Sequence, residues 1–184
     1  AADANINGVD TWDNQVAWAA SLTLGGVSGC RLPTVSQIDG NTFDINTSNN
    51  ATTDVVWAPT TTDGTDGGWR DISNTPVSEM GHMYYVTLGN LGICTPNNAD
   101  PYSCVPQPGW GLTNTGPFSD VQSFYYWSGT EFDSGSAWGF FFNGGTQVKL
   151  FHVGNFYSWA GHAGNVSDVP VPAAGWLSAV ACSA

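Results

Sequence analysis

At 184 residues, 41% of them hydrophobic and 10% charged, the chain is long enough for one substantial core and reads as one domain. Three basic residues, Arg31, Arg70 and Lys149, stand against fifteen acidic ones, for a net charge of -12. Such a surface repels nucleic acid and anionic membranes, and with no basic patch to offset it, nucleic-acid binding is set aside.

In chain order, the opening AADANING has neither the basic segment nor the apolar core of an intact signal peptide, and it reads as extended. No run in the chain is long enough in apolar residues for a transmembrane segment. TWDNQVAWAASL follows. Thr11 is placed to cap a helix over residues 12–22, Trp12, Val16, Ala19 and Leu22 recur at helical spacing, and Gly25-Gly26 ends it. In the next motif, GCRLPT, Arg31 sits between an apolar residue and the turn at Pro33. A guanidinium held there needs several acceptors, which predicts a partly buried ion pair or carbonyl network.

Ser36 opens a short helical stretch that Gly40 stops. Residues 39–68 are polar apart from an apolar island at 55–57, and read either as a surface insertion or as a pair of irregular strands. Asp54, Asp63, Asp66 and Asp71 scatter around Trp57 and Trp69. Oxygen-rich loops of this kind are the material of calcium sites, although the spacing is not that of an EF-hand, and solvated turn carboxylates are the competing reading.

Residues 79–88, EMGHMYYVTL, read as a second helix with Met80, Met83 or Tyr84, and Leu88 inward despite Gly81. His82, amid aromatics, reads as a core or hydrogen-bonding histidine. Residues 89–117 form a loop anchored by Trp110. Four cysteines allow three complete pairings; Cys94 and Cys104 bracket the loop TPNNADPYS and predict a local disulfide, which leaves Cys30 and Cys182 to join the exit of the first helix to the C-terminal segment. The cysteines are too dispersed for a zinc cluster.

From residue 123 the period becomes two. Phe124, Tyr126 and Ser128 alternate against Tyr125 and Trp127, and Glu131 follows as a partner for Arg31 or a backbone cap. Residues 138–143, a Gly144-Gly145 turn and residues 146–151 read as a hairpin, and residues 156–160 as a final strand. Sparse helices among Gly-bounded aromatic runs predict a mixed α+β domain with long loops. No nucleophile elbow, phosphate loop or HExxH is present, and nothing fixes the separation that Glu131 with Asp133 or Asp120 would need as glycosidase carboxylates, so a non-enzymatic protein is expected.

The order TWDNQVAWAASL, GCRLPT, SEMGHMYYVTLGN, GLTNTGPFSDVQSFYYWSGTEF, SAWGFFFNGG and FYSWA resembles the bacterial secreted domains called DUF1566 or Lcl C-terminal domain, over roughly residues 10–165. The later VPVPAAGWL resembles the start of a PEP-CTERM sorting tail. The resemblance implies a C-type lectin-like fold over residues 1–168, two helices flanking small antiparallel sheets with long loops, and an apolar tail over residues 169–184. It gives structural roles to Trp12, Arg31, Pro33, Trp127, Glu131, Trp138 and Trp159. Cys30 stands where the family has Trp, and Gly161-His162-Ala163 where it has Val-Arg-Pro.

Two functions follow as expectations. The apolar tail residues Val169, Val171, Trp176 and Leu177 are placed to dock on a neighbouring copy, which makes the chain a secreted or cell-surface structural protein that self-associates into a filament or matrix. The alternative is an adhesin that binds an extracellular glycan by stacking on Trp57, Trp69 and Trp110, with calcium as an accessory. The Gln-Pro-Asp sugar motif of true C-type lectins is absent, since Gln107-Pro108 is followed by Gly109.

Overall fold

The computed structural model describes residues 2–3, 7–24, 27–49, 52–56, 77–95, 99–100, 102–162 and 180–181. In chain order they form β1 (Ala2–Asp3), α1 (Trp12–Ser21), β2 (Thr23–Leu24), β3 (Val27–Ser28), β4 (Cys30–Arg31), β5 (Thr47–Ser48) and β6 (Val55–Val56). Then come α2 (Glu79–His82), continued by a π-helical segment Met83–Thr87, and β7 (Phe118–Ser119), β8 (Tyr125–Asp133), β9 (Ser136–Phe141), β10 (Thr146–Phe151), β11 (Tyr157–Ser158), β12 (Gly161–His162) and β13 (Val180–Ala181). The fold is mixed α+β: two helices and a six-stranded sheet ordered β11-β8-β9-β10-β6-β5, with a three-stranded sheet β13-β12-β4 and the pairs β1-β7 and β2-β3 beside it.

The centre is the antiparallel β8–β9–β10 meander, in which Tyr126 faces Phe140, Trp127 faces Gly139, and Gly139 in turn faces Val148. Alternation sends successive side chains to opposite faces, and here both faces are buried. One carries Trp127 and Ala137 under α1, whose Ala19 packs there with Trp12, Val16 and Leu22 at its flanks. The other carries Tyr126, Trp138 and Phe140 under Met80, Met83, Tyr84 and Leu88.

The first helix ends at Ser21, and Leu22 turns extended as the β2–β3 pair begins. Thr11 holds the capping position, but its side chain makes no cap bond. The neighbouring Asp10 carboxylate accepts the Thr11 N–H at 2.7 Å and the Asn14 amide at 2.8 Å instead, a stronger acceptor that also suits the positive end of a helix. The second helix spans the expected residues but widens after His82, with the Leu88 N–H reaching the Met83 carbonyl at 2.9 Å. The extra residue in that turn lets Met83, Tyr84 and Tyr85 all point inward, where regular spacing would turn at least one of them out.

Three expectations are corrected. Residues 36–40 form no helix, because Ser36 donates to the Val77 carbonyl at 2.8 Å and Val35 bridges to Ser78, drawing the chain out straight. The main sheet is not wholly antiparallel: β11 joins β8, and β5 joins β6, in parallel, since these two-residue strands arrive from loops and add to the rim. Trp110 does not anchor the 89–117 loop, being 38% exposed. Asn90, 2% exposed, does so: its Oδ1 accepts the N–H groups of Thr113 and Asn114 at 2.9 and 2.8 Å, and its Nδ2 donates to the Asn114 carbonyl at 2.8 Å.

The hairpin turn at Gly144 and Gly145 forms as expected. Gly145 has φ +67°, and a Cβ there would lie 2.7 Å from the Tyr84 ring and closer still to the Tyr85 hydroxyl. Gly145→Ala is expected to lower unfolding free energy by about 2–4 kcal/mol, from left-handed strain plus overpacking. Gly135→Ala, whose nearest neighbour would be 3.8 Å away, is expected to change it by less than about 1 kcal/mol. Urea denaturation of both variants checks this difference.

Candidate functional site

Among the described residues, three places carry polar or exposed chemistry: the Arg31–Glu79 junction, the stapled loop around Cys94, and the pairings that hold the first and last described strands. Arg31, 36% exposed at its side chain, leaves β4 and grips the first turn of α2. Its Nη1 and Nη2 donate to the two oxygens of Glu79 at 2.7 and 2.8 Å, and Nη1 also donates to the Leu32 carbonyl at 3.0 Å. The fork geometry of guanidinium and carboxylate makes this pair bidentate. One Glu79 oxygen further accepts the Thr34 N–H at 2.7 Å. Burial raises the Glu79 carboxyl, but Arg31 and the Thr34 N–H outweigh it and hold the group below its ordinary value.

The expected ion pair and carbonyl contact at Arg31 are thus both present, with one correction of partner. Glu131 is exposed on β8, where the register shifts against β9, and Glu79 takes the place expected for it. Pro33 is half-buried and its carbonyl accepts the Gly129 N–H at 2.8 Å. Trp12 stacks on His152 at 4.4 Å and donates its indole N–H to the Ser128 carbonyl at 2.8 Å. Trp127 is fully buried and donates to the Asp10 carbonyl at 3.0 Å. Trp138 is fully buried against Phe43, and Trp159 packs edge-on to Phe118.

Cys94 and Cys104 are bonded to each other, as expected from the loop they bracket. Around that staple Leu91, Tyr102, Val105 and Trp110 stand 44%, 68%, 56% and 38% exposed. Leu91 bridges to Gly111 and Cys94 to Pro106, so the four lie on one short irregular hairpin. Beneath it Tyr84 and Tyr85 donate hydroxyls to the carbonyls of Leu91 and Gly145 at 3.0 and 2.5 Å. Burial pushes both phenols up, which keeps them protonated as donors. Trp57 and Trp69 lie outside the described residues.

Of the acidic scatter only Asp54 is described; Asp63, Asp66 and Asp71 lie outside the described residues. Asp54 is fully buried, with its two oxygens accepting the backbone N–H groups of Ile38 at 3.0 Å and Asp44 at 2.7 Å. Burial raises its carboxyl above the ordinary value. Its lone pairs serve the loop, and among the described residues no three His, Cys, Asp or Glu side chains gather as a metal site.

These terminal pairings were not foreseen. Ala2 and Asp3 pair in parallel with Phe118 and Ser119, and Val180 and Ala181 pair antiparallel with His162 and Gly161. On its other side β12 pairs with β4, placing His162 opposite Cys30 and Gly161 opposite Arg31. Cys30 is disulfide-bonded. Its expected mate Cys182, and the tail residues Val169, Val171, Trp176 and Leu177, lie outside the described residues. Another residue missed was Gln15, which is fully buried: its Nε2 donates to the carbonyls of Gly8 at 3.0 Å and Phe156 at 3.2 Å, while its Oε1 accepts from Asn7 and Ser158. Its signal was an amide at an inward helical position.

Glu79→Gln is expected to cost about 1–2 kcal/mol near neutral pH, a figure discounted for the exposure of the pair. Because the folded-state carboxyl titrates below its ordinary value of 4.5, the wild-type advantage is full above that pH and lost as pH falls through the depressed value. Denaturation midpoints of both proteins between pH 7 and pH 3 check the sign: the gap narrows on acidification.

Among the described residues no helix is long and apolar enough to cross a membrane. No family model, curated protein or solved structure matches this chain.

Proposed function

We propose that this chain is a secreted or cell-surface structural protein, a non-enzymatic subunit that self-associates through its terminal segments into an extracellular filament or matrix. The observation that carries the reading is how the first and last described strands are held. Each is a two-residue strand held by main-chain pairing to a distant part of the chain: β1 pairs with the equally short β7, and β13 adds to the β12–β4 pair. Main-chain pairing of this kind does not distinguish a strand from its own chain from an identical strand of a neighbour. An asymmetric donation repeated from copy to copy gives an open filament unless the rotation closes it.

Two further features support an extracellular setting. A stapled loop fits an oxidising compartment. The motif order resembling DUF1566 domains, with a tail resembling a PEP-CTERM signal, fits a lectin-like scaffold displayed at a bacterial surface.

A second reading, a carbohydrate-binding adhesin, draws on the exposed Trp110 and Tyr102 of the stapled hairpin, whose ring faces suit stacking on a sugar.

Electron microscopy of the purified chain, beside one lacking residues 169–184, tests the first reading. Ordered filaments are expected from the intact chain alone. With a net charge of -12, copies repel one another, so assembly is expected to be greater at about 0.5 M salt than at about 0.01 M, where the screening length is longer. Particles that stay monomeric at both ionic strengths refute assembly, whereas glycan-array binding lost in Trp110→Ala supports the adhesin.

A further inference from the structure

We propose that the outward face of the stapled hairpin is a contact between two copies of this chain, made side chain to side chain and separate from any pairing of the termini. The inference rests on the self-association reading and adds to it a face on which copies meet.

Along residues 91–95 burial alternates, and the alternation is inverted. Gly92 and Cys94 are buried, while Leu91 and Thr95 are exposed and Ile93 is half-buried. A strand with one face in water ordinarily turns its large apolar side chains inward and its polar ones out. Here a glycine and a bonded cysteine take the inward positions, and leucine and isoleucine the outward ones. The returning strand continues the face. The Thr95 N–H donates to the Val105 carbonyl at 2.8 Å and the Gln107 N–H to the Ile93 carbonyl at 3.1 Å, which sets the exposed Val105 across from Thr95. A Cβ at Gly109 would lie 4.0 Å from Leu91 Cδ1, so the exposed Trp110 follows beside Leu91.

This face is held in shape from behind. The Cys94–Cys104 bond closes the hairpin, Gln107 donates its amide to the Gly92 and Cys94 carbonyls at 2.7 and 3.2 Å, and the Ile93 N–H reaches the Gly144 carbonyl at 2.9 Å. An apolar face ordered in advance loses little entropy on docking. Pro106 and Pro108 have no N–H to give, so the returning strand offers a neighbour its side chains and not a strand ladder.

Charge selects the occupant. The chain carries a net charge of -12, yet Asp100 is the single charged residue in residues 89–117. Copies that meet elsewhere press carboxylates against carboxylates, whereas copies that meet here do not. A basic partner would be drawn to the acidic surface outside this face. Phe151 and Val153 are more exposed, at 72% and 83%, but Asp133 lies beside them, accepting the hydroxyl of Ser136 opposite Phe151. A patch that is apolar on both partners suits a two-fold contact, in which the same surface meets itself. It covers on the order of a few hundred Å² per copy, so the pair is weak alone and is stabilised when copies are also linked elsewhere.

Sedimentation velocity of the full chain at about 0.15 M salt tests this, with Val105→Asp and Tyr102→Asp on the hairpin and Phe151→Asp as a control away from it. Val105 and Tyr102 are each more than half exposed, so neither change enters the core, and urea midpoints matching the wild type verify the fold. A two-fold contact joins copies in pairs, so species of two and four copies are expected to exceed those of one and three in the wild type and in Phe151→Asp. The new carboxylate appears on both sides of the contact, and each hairpin variant is expected to lower the two-copy species at least about tenfold. An equal loss in Phe151→Asp overturns the proposal, since repulsion anywhere would then do the same. Larger species with no preference for even numbers, unchanged in both hairpin variants, overturn the hairpin contact and leave terminal association standing. Single copies of the wild type throughout overturn both, and if those copies bind glycans through Trp110 the face belongs to the adhesin.

Discussion

Alternation along an extended strand sends Tyr126 and Trp127 to opposite sides of the sheet, and because both rings are fully buried, each side needs a cover of its own. That requirement explains the two helices. α1 and its flanking Trp12 and Leu22 close the Trp127 side, and the widened second helix closes the Tyr126 side with Met80, Tyr84 and Leu88. Gly139 marks how crowded the meander itself is, since a Cβ there would meet both Leu150 of β10 and the Tyr126 carbonyl of β8. The sheet's rims carry no comparable demand, and it is there that the chain uses two-residue strands in mixed directions.

With so few charged residues, amide side chains carry much of the satisfaction of loop backbone. Asn90 and Asn114 hold the loop beyond the second helix, Gln107 donates to the Gly92 and Cys94 carbonyls of the stapled hairpin, and Gln147 reaches the Asp54 carbonyl from β10. Amides both donate and accept and do not titrate, so these ties hold across pH. The Arg31–Glu79 fork is different in kind: it joins β4 to α2 by charge, and the neighbours of Arg31, Cys30 and Leu32, pack in the α1-side cluster.

The parts of this arrangement with strong local signals were legible from sequence. Helical spacing in residues 12–22, the apolar positions of residues 79–88, the Gly144-Gly145 turn and the Cys94–Cys104 loop each follow from rules acting within a few residues. What was missed depends on distant partners. Arg31 meeting Glu79 rather than Glu131 is a choice between two carboxylates that no local pattern makes. Gln15 appears as an ordinary helical amide until Phe156 and Ser158 arrive beside it. The π-helical widening arises because two adjacent tyrosines both find a core, and the rim strands are too short to leave a period. Of the residues considered for a binding site, Trp110 is located and exposed, and Asp54 proves to be a loop organiser.

The Trp127 side of the core is stitched from the two ends of the chain. The indole of Trp12 reaches across 116 residues to Ser128, that of Trp127 across 117 to Asp10, and Gln15 across 141 to Phe156. A growing polypeptide therefore carries its first helix with no surface to rest on until nearly all of the sheet has been synthesised. Contacts of such separation slow folding, because the loop they close must be ordered before any of them is made. Late closure therefore keeps the amino-terminal helix pliable for most of the chain's synthesis and reserves the final compaction for its end.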